Sequence, residues 1–225
     1  MDDRLHVLYV INMDRSRKRW RQWKSEARVN VRRVRAIDGR RDLRASDMNY
    51  FRSADFENRA ARGCALSHLK AMRQSLENDD PFAIICEDDV LLSDCVSARI
   101  QLLTTSLPEN WELVFFANVK NRSVSFPFSK ARAPSVWNFS GCSMYMISRA
   151  AMQRYVEAKD EVGFHRAVDW DLIDFFPQHF LHPHGAYALD GTTTIQARRS
   201  QQHWKYVLPI IGCIVITAYL LGKCR

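Results

Sequence analysis

The sequence predicts an α/β fold built on a mostly parallel mixed sheet with both faces covered. Three observations carry that expectation. Residues 5–11 (LHVLYVI), 82–86 (FAIIC) and 113–117 (LVFFA) are short, nearly continuous apolar runs rich in β-branched and aromatic side chains, the pattern of strands buried on both sides. Segments with helical spacing separate them, and alternation of the two kinds of element builds layered α/β sheets. The 225 residues, 47% hydrophobic, suffice for the core of one ordinary domain.

The elements follow in order. After the first strand, residues 15–28 read as a helix charged on most sides, with Trp20 and Trp23 as its apolar contacts. Residues 29–37 return as a second strand that ends in the turn signal Asp38-Gly39. Residues 40–62 are polar and Arg-rich, and predict a long connection. Gly63 then opens a helix in which Ala65, Leu69, Met72 and Leu76 form one core-facing stripe, and residues 78–81 close it. Beyond the strand at 82–86, a helix is expected over 95–106, strands over 113–117 and 141–148, a helix over 149–159, and a loop entering a helix over 168–176. Residues 178–203 read as irregular.

Charge is distributed unevenly. Residues 1–62 hold 17 Lys/Arg against 9 Asp/Glu, whereas the remainder holds 16 of each. A basic field of this kind suits a phosphate, a polyanion or an anionic surface, and equally a solvated Arg-rich face. The six cysteines include no CxxC pair and no His/Cys cluster in sequence, which argues against a zinc site and gives no disulfide framework. Residues 207–222 (VLPIIGCIVITAYLLG) carry no charge and are flanked by Lys205, Lys223 and Arg225. They predict a C-terminal membrane anchor over 204–225, with residues 1–203 as the catalytic domain. The start of the chain lacks the basic and apolar regions of a secretory signal, so the domain is expected to face the cytosol.

The chemistry starts with Glu87-Asp88-Asp89, directly after the strand at 82–86. In open α/β sheets ligands bind beyond the carboxyl ends of strands. Three adjacent carboxylates need a counter-charge, and a hard divalent cation, manganese or magnesium, supplies it through oxygen ligands while leaving room for phosphate. In extended backbone Glu87 and Asp89 point to one side and Asp88 to the other, so Glu87 and Asp89 are the metal candidates.

Taken together, the motifs YVINMDRS (9–16) with Arg19, RAIDG (35–39), GCALSH (63–68), ICEDDV (85–90) and Val168-Asp169 resemble glycosyltransferase family 25, the family of bacterial lipooligosaccharide and animal procollagen galactosyltransferases. The resemblance runs in the same order over about residues 5–176. It implies a GT-A fold, a UDP-hexose donor (galactose or glucose), a divalent metal, and inverting transfer to a hydroxyl on a glycan, glycolipid or protein. Glu87 and Asp89 match the family's DXD-like motif. Asn12, Asp14, Arg19, Asp38 and Gly39 match the motifs that border the nucleotide, and Gly63, His68 and Asp88 join this donor-binding set. Gly63 permits close backbone approach at the helix start. His68, one step from the Leu69 stripe, reads either as a hydrogen-bonded core histidine or as a ligand or a donor to phosphate. Inverting transfer needs a general base, for which Asp169 and Asp171 are the candidates outside the metal motif. In a helix they lie about 200° apart, so both cannot face the substrate; Asp169, at the loop-to-helix junction and at the position that matches the family, is the base that the resemblance implies or, in a purely structural role, a helix cap.

Two other classes compete with this expectation. One is a non-catalytic, membrane-tethered module that binds polyanions through its basic quarter; the other is a degenerate transferase kept as a scaffold. The acidic triplet opposes a polyanion, and nucleic acid is not expected as a partner.

Overall fold

A computed structural model of the chain describes residues 7–26, 29–51, 58–92, 96–116, 128–132, 143–181 and 186–188. Within the unit Met1–Ala186 the strands β1 (Val7–Asn12), β2 (Asn30–Arg35), β3 (Phe82–Glu87), β5 (Leu113–Phe115), β6 (Ser129–Arg132), β7 (Met144–Ser148) and β8 (Gln178–Leu181) form one sheet in the order β2-β1-β3-β7-β5-β8-β6. A short strand β4 (Val90–Leu92) follows β3. The helices are α1 (Arg17–Glu26), α2 (Arg59–Glu77), α3 (Val96–Ser106), α4 (Arg149–Val162) and α5 (Val168–Phe175).

Strand alternation sorts the core into two layers. Tyr9, Ile11, Ala83 and Ile85 point to one face, where Ala65, Leu69 and Met72 of α2, Met152 and Tyr155 of α4, and Leu172 of α5 cover them. Leu8, Val10, Ile84 and Cys86 point to the other, against Trp23 of α1 and Ile100 and Leu103 of α3. Both layers are dry, which is why the strands read as continuous apolar runs rather than alternating ones. Each fully buried aliphatic side chain contributes roughly 1.5–3 kcal/mol of transfer free energy.

Three expectations are corrected. The sheet is evenly mixed rather than mostly parallel: β1 pairs in parallel with β2 and β3, and β5 with β8, whereas β7 runs antiparallel to β3 and β5, and β6 antiparallel to β8. The reason is that β7 enters between β3 and β5 in the reverse direction, and strand direction leaves no mark on composition. Helix α2 begins at Arg59, not Gly63, because the Asn58 side chain caps it by accepting from the Ala60 N–H at 2.9 Å. Residues 178–181, expected to be irregular, form β8. The polar connection also contains a 3-10 turn, Ala45–Tyr50, held where the Arg44 N–H donates to Asp47 at 2.7 Å. The proposed anchor over 204–225 lies outside the described residues. Among the described residues no helix is long and apolar enough to cross a membrane.

Between α4 and α5 a fully internal ion pair fixes the second candidate base. Lys159 Nζ lies 2.6 Å from Asp171 Oδ2, and both side chains are 4% exposed. The ammonium also sits over the rings of Tyr155, Phe164 and Phe175 at 5.1, 5.5 and 5.7 Å. Tyr155 donates its hydroxyl to Asp171 Oδ2 at 2.7 Å, and the His165 N–H reaches Oδ1 at 3.3 Å. Every oxygen of this carboxylate is therefore engaged inside the fold.

Candidate functional site

The carboxyl ends of β1, β2 and β3 and the first turns of α2 enclose a cleft of about 370 Å³. Arg15, Arg19 and Arg40 line it together with Glu87, Asp88 and Asp89, and with Asp38, Gly39, Cys64 and Ser67. Thus Arg19, Asp38, Gly39, Glu87, Asp88 and Asp89, expected at the site from the sequence, come together there. Asn12, Asp14, Gly63 and His68 do not line the cleft; Asn12, Gly63 and His68 each contact a residue that does, and Asp14 does not.

Two glycines set the shape of its floor. A Cβ on Gly39 would lie 1.7 Å from the Arg59 carbonyl oxygen, and one on Gly63 would lie 2.5 Å from both Gly39 N and the Ile37 carbonyl oxygen. The loop after β2 thus presses its backbone directly onto α2. Ser67 completes the joint, accepting from the Ile37 N–H at 2.8 Å and donating to the Gly63 carbonyl at 2.6 Å. In this way IDG and GCALSH, 24 residues apart from Gly39 to Gly63, form one packing unit. Gly39→Ala is expected to lower stability by about 1–3 kcal/mol or more, since backbone rather than a flexible side chain must yield. A urea midpoint unchanged from wild type would contradict that.

Asp38 closes the same loop, accepting from the Arg40 N–H at 3.0 Å and pairing with Arg15. The Arg40 N–H, aided by Arg15, outweighs partial burial and holds its carboxyl below the usual aspartate range. Asp14 lies outside the cleft and bridges Arg33 and Arg35 at 2.9 and 2.6 Å, which tie it to the outer strand β2 and lower its carboxyl.

Strand β3 ends at Glu87, and Asp88 and Asp89 lie in the turn that follows it rather than in the extended backbone expected for the triplet. Asp88 faces α1: Asn12 Nδ2 donates to it at 2.5 Å, Arg19 pairs with it at 2.9 Å, and Trp23 Nε1 donates to its carbonyl at 3.1 Å. Arg33 holds the Asn12 amide in turn, at 2.8 Å. Burial nonetheless keeps the Asp88 carboxyl above its usual range. Asp88 is thereby a clamp between β1, α1 and β3, and Asn12 its support. Glu87 faces α2, with Cys64 Sγ 3.6 Å and His68 Nε2 3.5 Å from its Oε1. Burial pushes Glu87 up, but His68, Cys64 and Arg19 together bring it below the usual range. At Asp89 one oxygen, Oδ1, is buried without a hydrogen bond, and burial together with Glu87 and Asp88 outweighs Arg19 and the backbone N–H and pushes the carboxyl up to about 6.

That orphaned oxygen tests the cation expectation. A carboxylate beside two others, in a residue that lines the cleft and with a buried acceptor that no protein group uses, is chemically suited to a hard divalent ion. Asp89 and Glu87 fit that role. A second donor set also emerges, because Cys64, His68 and Glu87 bring one ligand atom each within 4.8 Å of one another. Sequence reading missed it, although Cys64 and His68 stand four residues apart on a single helix face, a spacing that could have revealed it.

Asp169, on α5, does not line the cleft. The cap of that helix is Ala167, so Asp169 is not the cap residue, and its Oδ1 accepts from the adjacent Trp170 N–H at 3.0 Å. The Cys64 thiol is raised well above its usual range by burial first, then by the charges of Glu87, Asp169 and Asp89, which puts Asp169 in the electrostatic neighbourhood of the cleft. Asp171 points into the core instead.

Fold and site define an α/β protein with a basic-and-acidic cleft at the carboxyl edge of its sheet. The chain belongs to glycosyltransferase family 25 (LPS biosynthesis protein), whose sequence pattern it matches over residues 5–170. No curated protein matches it. Among solved structures it is similar to A197 from STIV (11% identity, 81% of this chain and 84% of that one, TM-score 0.46). It is also similar to 4-diphosphocytidyl-2C-methyl-D-erythritolsynthase from Anaerococcus prevotii (12%, 88% and 79%, TM-score 0.46) and to an active-site mutant of LgtC (13%, 79% and 72%, TM-score 0.41). None of these likenesses bears on what the chain does.

Proposed function

We propose that this glycosyltransferase has a GT-A arrangement and moves a hexose, galactose or glucose, from a UDP-sugar to a hydroxyl of a glycan, glycolipid or protein, with inversion. The observation that carries the reading is the cleft itself, which Arg15, Arg19 and Arg40 line together with Glu87 and Asp89, one Asp89 oxygen being buried without a hydrogen bond. Glu87 and Asp89 would hold manganese or magnesium, which when bound supplies positive charge to the departing diphosphate. The arginines bind the same phosphates and neutralise the charge that develops as the glycosidic bond breaks. Asp38, fixed by the Arg40 N–H, keeps Arg15 at the cleft wall. Asp169 takes the proton from the attacking acceptor hydroxyl. Residues 204–225 anchor the protein to a membrane, with the catalytic domain on the cytosolic side.

The test is release of UDP from UDP-galactose and UDP-glucose by the purified full chain with and without manganese. Asp169→Asn should lower turnover by about 10²–10⁴ while leaving UDP affinity near wild type, since it removes only the proton acceptor. Wild-type turnover in that variant would remove Asp169 from the mechanism. Digestion of the domain by protease added to intact vesicles supports the cytosolic placement; protection contradicts it.

A further inference from the structure

The geometry points to a second cation site at Cys64, His68 and Glu87 that selects a borderline-soft ion, zinc, and competes with the hard-cation pair by sharing Glu87. Around a tetrahedral zinc, sulfur, nitrogen and oxygen ligands lie roughly 3.3–3.6 Å apart, as bond lengths of about 2.3 Å to sulfur and 2.0–2.1 Å to nitrogen and oxygen dictate. Cys64 Sγ and His68 Nε2 already stand 3.6 and 3.5 Å from Glu87 Oε1. The histidine is the independent pointer. Its side chain is 1% exposed, yet Nε2 makes no hydrogen bond and is aimed at Glu87. A buried imidazole nitrogen left without a partner costs free energy, and a metal ion would satisfy it.

The opposite edge of the ring is braced as metal-ligating histidines are. Nδ1 lies 3.0 Å from the Tyr145 hydroxyl, and the two rings stack at 5.6 Å. Without metal, a proton on Nε2 would serve Glu87; metal binding takes the tautomer in which Nδ1–H donates to the Tyr145 hydroxyl and the Nε2 lone pair is released toward Glu87. Cys64 and Glu87 both line the cleft whereas His68 lies behind it, so three protein ligands leave the fourth position open to the cleft. The thiol distinguishes this set from the carboxylates: sulfur favours zinc over manganese, and oxygen donors alone do not. On binding, Cys64 gives its proton to solvent. Glu87 cannot serve both ions, so zinc displaces manganese.

Cobalt(II) is the spectroscopic probe. The purified full chain should take up one equivalent of Co²⁺ with a thiolate-to-cobalt charge-transfer band. Zinc should abolish the band, and Cys64→Ser should lack it. Tyr145→Phe should keep the band but bind zinc about 10–100-fold more weakly, through loss of the imidazole's brace. Cys64 is only partly buried, so its serine variant tests the site without emptying the core. Absence of a thiolate band in the wild type, or a band that survives in Cys64→Ser, would overturn the site. Competition rests on the transferase reading and is measured separately, by counting free Mn²⁺ from its electron paramagnetic resonance. Zinc should release the bound manganese in the wild type but not in Cys64→Ser, whereas equal release in both would overturn the sharing of Glu87. Failure of manganese to bind at all, with the cobalt band intact, would strike the transferase reading and leave the zinc site standing.

Discussion

Asp171→Asn is expected to lower stability by about 3–5 kcal/mol while the folded fraction turns over at the wild-type rate. The substitution strands the Lys159 ammonium at 4% exposure among three aromatic rings with no counter-charge. Removing one partner of a buried pair costs far more than the pair itself contributes, and replacing both by apolar groups of similar volume is often nearly neutral. Lys159→Met with Asp171→Leu should therefore recover most of the loss. Chemical denaturation with UDP release measured on the same samples checks both halves. A stable Asp171→Asn variant without turnover would instead make Asp171 the base.

Asp89→Asn should act in the opposite way, leaving the fold intact and lowering turnover by roughly 10²–10³, about 2.7–4 kcal/mol of lost electrostatic stabilisation. It also changes the pH profile of stability. The Asp89 carboxyl is raised to about 6 in the folded protein, first by burial and then by Glu87 and Asp88. In the folded state the group holds its proton more tightly than in the unfolded chain, so the cation-free protein loses stability as pH rises from the ordinary aspartate value, near 3.9, through about 6. Above that window the penalty is fully present; below it the penalty vanishes. The difference in urea midpoint between wild type and Asp89→Asn should therefore shift against the wild type between about pH 4 and pH 7.5. Added manganese should reverse the shift at the higher pH only. A difference independent of pH would mean that Asp89 carries no such burden.

Much of this was legible in the chain because it depends on local pattern. The strands Val7–Asn12, Phe82–Glu87 and Leu113–Phe115 are dry on both faces, and their apolar runs say so. The position of Glu87, Asp88 and Asp89 at the end of β3 follows from the apolar run directly before them. What was not legible depends on long-range placement. Asn58 caps α2 five residues before the glycine that seemed to open it, since Gly63 is there to let the Ile37 and Gly39 backbone in close rather than to start a helix. Asp169 and Asp171 are chemically identical in sequence, and only the position of Lys159 on a neighbouring helix separates them. Cys64 and His68 become a donor set only when β3 delivers Glu87 beside them.

The central claim is that the cleft at the ends of β1, β2 and β3 holds a nucleoside diphosphate with the help of a cation at Glu87 and Asp89. Calorimetric titration of the full chain with UDP, in manganese and in chelator, tests it most directly. The account predicts binding in manganese that is lost in chelator and lost in Asp89→Asn. Equal UDP affinity with and without the cation, or in wild type and Asp89→Asn, would contradict it.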